Sequence, residues 1–275
     1  MQATLSALGR QLLEPTEHRL EYLVICLASL AVSGLTLFSG FGLGTVLTPV
    51  MAIFFPIETA VAVTAVVHFA NNLFKLALFG RQADWGVSLR FGLPALVASF
   101  AGAWVLVRVS NLEPLFFYTL AGGEFFITPV KLLVGVLIVF FAAQELRGGK
   151  RQAISPVWLP LGGIVSGFFG GLSGNQGAFR SAFLLGAGLG KDVFIATGVV
   201  LACVVDVTRL GVYASLSGSH MITDNAGLVV AATLSAFLGV NYSRKVLQKI
   251  TIQTVRLLVG AMLLLLGGGL AAGLI

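Results

Sequence analysis

The chain has 275 residues, of which 57% are hydrophobic and only 10% charged, with a mean hydropathy of +0.98. A soluble domain carries about 25% charged residues, so this set cannot build a water-facing surface and reads as an integral membrane protein. The net charge of +6, with no basic run interleaved with aromatics, fits basic cytoplasmic loops beside a lipid bilayer rather than a nucleic-acid partner.

The N-terminal tail, 1–21, holds Glu14, Glu17, His18 and Arg19 without a hydrophobic core, so no cleaved signal peptide is expected. Apolar segments follow at 22–39, 44–55, 57–79, 87–108 and 129–146, which together make a first transmembrane repeat, 22–146. A basic cytoplasmic connector, 147–156, comes next. Segments then recur at 157–173, 177–189, 191–216, 222–241 and 250–274, making a second repeat, 157–275. At about 20 apolar residues per span these segments nearly exhaust the chain, and no separate soluble domain is left over. Glycine, at 34 residues, far exceeds its usual ~7% and suits close helix packing. Cys26 and Cys203 lie in apolar runs without CxxC spacing and read as packing residues.

In each half the second segment is too short to span and follows a glycine-rich break. The breaks are Gly40-Phe41-Gly42-Leu43-Gly44 and Gly170-Gly171-Leu172-Ser173-Gly174-Asn175-Gln176-Gly177. Sliding one half over the other by 134 positions sets Glu58 on Asp192, Asn72 on Asp206 and Lys75 on Arg209. An odd number of segments per copy forces the second copy to enter the membrane from the opposite side. The expected fold is therefore an all-α polytopic membrane protein of two inverted five-segment repeats with glycine-broken, short second helices. With the connector inside, Arg81, Arg90, Arg147, Lys150, Arg151, Lys191, Arg244, Lys245 and Lys249 are cytoplasmic. Only Arg10, Arg19, Arg108 and Lys131 then lie outside, with both termini, as basic-inside bias requires.

Inverted repeats whose helices break at glycines point to a transport site near the bilayer midplane. Helix N-termini opening at such breaks present unpaired N–H groups and suit an anion. Gly42, Gly44 and Thr45 in the first half, and Gly174, Asn175, Gln176 and Gly177 in the second, are the candidate substrate contacts; glycines that only pack helices are the alternative. Lys75, Arg180 and Arg209 are intramembrane cations, whereas Asp206 is the clear intramembrane acid. Asp206 and Arg209 are three apart on one helix face and should pair. The remaining positive charge calls for an anionic substrate, since an uncompensated intramembrane charge costs several kcal/mol. Arg180, just after the second break, can fork onto two oxyanion oxygens. Asn175 and Gln176 offer amide donors or satisfy broken backbone groups. Lys75 lies near the end of its segment, where it either snorkels to the interface or joins the pathway. Asn71 and Asn72 serve as polar glue or pathway, and His68, one turn before Asn72, as a proton relay or a core histidine.

Gly171-Leu172-Ser173-Gly174 matches the GxSG nucleophile signature of rhomboid intramembrane proteases, but His68 and His220 stand in the wrong contexts for its base. No HExxH, paired-carboxylate or P-loop pattern occurs. No catalytic residue, metal or cofactor is therefore expected, and coupling is left to protons or to simple uniport.

The chain resembles the sulfite exporter TauE/SafE family of membrane permeases. The likeness rests on Gly40-Phe41-Gly42-Leu43-Gly44 followed by Pro49, on the run from Ser166 to Arg180, and on the segment around Asn72 with Gly80 to Trp85. It implies a secondary transporter that exports small oxyanions such as sulfite or organosulfonates across the bacterial cytoplasmic membrane. A membrane scaffold whose glycines only pack helices is the competing expectation.

Overall fold

The computed structural model describes residues 19–35, 42–120, 122–147, 154–216, 220–246 and 252–275. Gly40 and Phe41 of the first break, most of the connector and most of the N-terminal tail lie outside these residues. The chain is mostly helical. A first helix, α1, covers 19–35. It is followed by α2 (Leu43–Met51), α3 (Ile57–Phe79), which runs on through a 3-10 turn at Gly80–Gln82, and α4 (Trp85–Ser110). After a hairpin of β1 (Phe116–Leu120) and β2 (Gly123–Ile127) come α5 (Pro129–Leu146), α6 (Leu159–Ser173), α7 (Gly177–Leu185) and α8 (Lys191–Leu216). The one-turn α9 (His220–Thr223), α10 (Ala226–Val246) and α11 (Ile252–Ala271) complete the order.

Among the described residues, four helices are long and apolar enough to cross a membrane by length and composition: Ile57–Gln82, Trp85–Ser110, Pro156–Ser173 and Lys191–Leu216. Shorter apolar helices cover Pro129–Gln144, Ala226–Tyr242 and Leu257–Ala271. The protein is a membrane protein, and α4 shows why. Its Leu89, Leu93, Val97, Phe100 and Trp104 form an exposed apolar stripe at helical spacing that only lipid can cover. Its opposite face, with Phe91, Ala95 and Ser99, is buried. Asp84 starts the helix by accepting the Val87 N–H on Oδ1 at 2.9 Å, an N-cap.

Glycines set the packing of that buried face. A Cβ on Gly163, Gly167 or Gly171 of α6 would collide with the carbonyl oxygen of Phe91, Ala95 or Ser99 respectively. Both helices advance in the same direction along this four-residue ladder, so α4 and α6 run parallel at backbone contact. In the same manner Gly239 of α10 sits on the Leu30 carbonyl and Gly227 faces Tyr22, so α10 runs parallel to α1. At the centre Asn72 of α3 meets Asp206 of α8, and Asp84, just past the end of α3, meets Thr197. Rising numbers in α3 face falling numbers in α8, so these two helices are antiparallel.

The two half-length helices α2 and α7 each have nine residues, about 13 Å at 1.5 Å per residue, less than half of a ~30 Å hydrocarbon core. Every residue of α2 is buried within the protein, as broken backbone at membrane depth requires. The starts of α2 and α7, Leu43 and Gly177, are separated by the same 134 positions that separate Asn72 from Asp206. Ile57 and Lys191, the starts of α3 and α8, are separated by the same interval.

Two features differ from the expected segments, and the first departs from an all-α fold. Residues 116–127 form an antiparallel hairpin with Phe116 opposite Ile127 and Leu120 opposite Gly123, turning at Gly122 with φ +84°. Aromatic, β-prone residues on both strands favour this over a coil loop, and the Tyr118 hydroxyl ties the hairpin to the C-terminus by donating to the Ala272 carbonyl at 2.6 Å. The segment expected to begin at 222 is also divided, with the one-turn α9 preceding α10.

Candidate functional site

The second break begins where α6 stops. Gly174 takes φ +79° and its N–H returns to the Gly170 carbonyl at 2.9 Å, a left-handed C-terminal stop that glycine adopts without strain. The unwound residues are held locally. The Ser166 hydroxyl donates to the Gln176 carbonyl at 2.9 Å, and the Asn175 amide donates to Ser173 Oγ at 3.0 Å. Ser173 in turn donates to the Phe169 carbonyl at 3.2 Å. Tyr213 of α8 donates to the Gly171 carbonyl at 2.5 Å and braces the same turn.

The first break faces the second. A Cβ on Gly42 would lie 3.4 Å from His68 Nε2, 3.8 Å from Thr45 Oγ1 and 3.9 Å from the Gly174 carbonyl oxygen. One on Gly44 would lie 3.5 Å from that same carbonyl and 3.8 Å from Thr64 Cγ2. From the other side Arg209 approaches, since a Cβ on Gly174 would be 2.9 Å from its Nη1. The fold thus gathers Gly42, Gly44, Thr45, His68, Gly174 and Arg209 into one place.

Asp206 is its electrostatic centre. Oδ1 accepts Arg209 Nε at 3.0 Å, with Nη2 at 2.9 Å, which is the pairing expected from their spacing. Oδ2 accepts the Asn72 amide at 2.9 Å and lies 2.7 Å from His68 Nδ1. Both carboxylate oxygens are therefore occupied by donors from α3 and α8, in a site where Asp206 and Arg209 are fully buried. Among the described residues Arg209 Nη1, Gln176 Nε2 and Asn175 Oδ1 have no hydrogen-bond partner, and Arg209 Nη2 meets Asp206 as an ion-pair contact alone.

Arg180 lies on α7, half-buried, with Nη1 donating to Gln176 Oε1 at 3.2 Å and Nε near Gly198 of α8. Lys75 does not reach an interface: its side chain is 5% exposed, because α3 continues past it and α8 packs over the 3-10 turn beyond. Among the described residues it has no hydrogen-bond or ion-pair partner, and the charged group that acts on it is Arg180. Gly177 is buried at the start of α7. The GxSG serine is engaged by Phe169 and Asn175, and His68 by Asp206. His220 begins α9. Among the described residues no group of three or more His, Cys, Asp or Glu could hold a metal ion.

Thr64, Thr48, Ser29 and Ser33 also carry polar groups into the core, without a sequence pattern that marks them. Ser33 donates to Asn71 Oδ1 at 2.9 Å, while Ser29 Oγ, Thr48 Oγ1, Thr64 Oγ1 and Asn71 Nδ2 are buried without partners among the described residues. Hydroxyls in membrane helices commonly bond their own backbone, so nothing in the pattern marked them. Tyr213 falls on Phe79 at the same 134-position offset, and an apolar counterpart does not mark its hydroxyl.

A family model described as sulfite exporter TauE/SafE matches residues 25–270. The chain belongs to the sulfite exporter TauE/SafE family. As a TauE/SafE protein it is a membrane transporter, of a family of anion exporters rather than enzymes. No curated protein and no solved structure matches it.

Proposed function

We propose that this TauE/SafE chain is a secondary transporter that exports small oxyanions such as sulfite or organosulfonates across the bacterial cytoplasmic membrane by alternating access. The observation that carries the reading is an uncompensated positive charge. Asp206 is fully engaged by Arg209, Asn72 and His68, and neither Lys75 nor Arg180 has an ion-pair partner among the described residues. A translocated anion supplies the missing charge. Arg180 is its main contact through a forked guanidinium, with Asn175 and Gln176 assisting. The unpartnered Gln176 Nε2 is a donor suited to an oxyanion oxygen. Gly42, Gly44, Thr45, Gly174 and Gly177 form the walls, and Lys75, His68, Asn72, Asp206 and Arg209 line the path.

The inverted repeat is part of the proposal. Corresponding helices α3 and α8 run antiparallel, and the half-helices keep one offset. Asn72 touches Asp206, its own counterpart in the alignment, as residues beside a two-fold axis in the membrane plane do. Repeats 22–146 and 157–275, joined by a cytoplasmic connector with both termini outside, would rock against each other about this contact.

A thermal-shift screen across sulfite, sulfate, thiosulfate and two- to three-carbon sulfonates tests the site. A binding anion at 100 times its Kd stabilises by about 2.7 kcal/mol, and Arg180→Ala should remove that gain. A scaffold would show no anion-dependent stabilisation at any concentration.

A further inference from the structure

The contact between His68 and Asp206 crosses from α3 to α8 and fixes the state of the imidazole. An ionised carboxylate only accepts hydrogen bonds, so at 2.7 Å from Asp206 Oδ2 the Nδ1 atom carries the hydrogen. Asn72 Nδ2 lies 3.1 Å from Nδ1 and 3.5 Å from Nε2. Near-equal distances to both ring nitrogens put that amide over the ring, off the lone-pair axis of either, while it donates to Asp206. Nε2 is left as the accepting atom of a neutral imidazole, and it is the atom that faces Gly42 of the first break, beside the Gly174 carbonyl of the second.

We propose that His68 Nε2 is the proton-binding atom of the transporter: it takes up a proton as the oxyanion enters between the breaks and releases it as the anion leaves on the other side. This rests on the oxyanion-transporter reading and names its coupling ion. The charges around His68 explain why the two events belong together. Asp206 and Arg209 on α8, Lys75 on α3 itself and Arg180 on α7 all lie near, with Cys203 and Tyr213 of α8 beside Asp206. Among the described residues the Thr45 hydroxyl of α2 and the Gly174 carbonyl just after α6 lie beside Gly42, which His68 Nε2 faces. One carboxylate is thus already shared with Arg209, and an imidazolium would add a further cation to an uncompensated set. A bound oxyanion removes that conflict. Proton and anion binding therefore strengthen each other by the same factor, and both move in the same direction.

The first measurement is flux of labelled sulfite, sulfate and ethanesulfonate into proteoliposomes of the full chain, with and without a pH gradient. The second is nitrogen NMR on the His18→Gln, His220→Gln protein, whose remaining imidazole is His68, at fixed pH with whichever of these anions is carried. Adding the anion should convert Nε2 from a bare to a protonated nitrogen. A pH gradient acid on the anion's entry side should accelerate flux by up to about tenfold per unit, the largest change in protonated fraction that a single group allows; in His68→Gln that acceleration should vanish whatever the absolute rate. Flux with Nε2 unchanged by the anion would overturn the coupling alone, even if His68→Gln fails to fold. Absence of flux for all three anions would overturn the transporter reading and the coupling with it.

Discussion

Replacing Asp206 by asparagine isolates the electrostatics at the centre of the molecule. The substitution is nearly isosteric, so it opens no cavity. It removes the one charge that balances Arg209, a side chain with no exposed surface, and leaves a single acceptor oxygen where two now serve. One oxygen of the native carboxylate receives Arg209 Nε at 3.0 Å, and the other receives Asn72 Nδ2 at 2.9 Å and faces His68 Nδ1 at 2.7 Å. The new amide nitrogen would have to face one of those donor sets. Breaking a buried pair by removing one partner costs about 3–5 kcal/mol, mostly from the charge left behind. The double variant Asp206→Asn, Arg209→Gln removes both charges and should recover more than half of the loss, giving a large coupling energy in a double-mutant cycle. Reversible unfolding of wild type, both single variants and the double variant in one detergent gives all four corners. A single variant within about 1 kcal/mol of wild type, or a double variant no better than Asp206→Asn, would refute the pairing.

Three further outcomes follow from local geometry. Gly167→Ala drives a methyl group into the Ala95 backbone and should destabilise by about 1–3 kcal/mol, whereas Gly211→Ala on α8 meets nothing within 4 Å and should stabilise by up to about 1 kcal/mol; thermal unfolding reads both signs. Gly174→Ala must hold φ +79°, at about 1–2 kcal/mol, and press on Arg209 Nη1, so it should lower stability and anion-dependent stabilisation together. Arg180→Lys keeps the charge but loses the fork, and calorimetric titration should show oxyanion affinity about tenfold weaker, the worth of one charge-assisted hydrogen bond at roughly 1.5 kcal/mol.

Much of the helical framework was legible in the residues themselves. The bounds of α3, α5 and α8 agree with predominantly apolar runs, because Pro56, Pro129 and Gly190 mark where they start and glycine or polar residues follow their ends. The short α2 and α7 were visible as breaks, since glycine-rich stretches weaken a helix, although α6 stays helical through Gly170 and Gly171 and stops only at Gly174. The hairpin at 116–127 was not. Its strands are five residues each, with β1 largely exposed, and adjacent aromatics such as Phe116-Phe117 and Phe125-Phe126 leave no polar-apolar alternation to mark them, while its order depends on Tyr118 reaching Ala272. At the site, Asp206 with Arg209 was readable from a spacing of three. His68 with Asp206 was not, because 138 positions separate them and only the packing of α3 on α8 brings them together. The alignment that set Asn72 on Asp206 expressed equivalence, and contact between equivalents needs an axis that one sequence does not draw. Lys75 looked close enough to a helix end to reach water; the 3-10 turn at Gly80–Gln82 extends α3 and keeps it inside.

The central claim is that a surplus of buried cationic charge serves a moving anion. Efflux of labelled sulfite from sealed proteoliposomes, compared between wild type and a folded Arg180→Ala protein, tests it most directly. The wild type should show saturable efflux, competed by other small oxyanions and reduced about tenfold or more by the substitution. Efflux no faster than from protein-free vesicles, or equal efflux from both proteins, would contradict it.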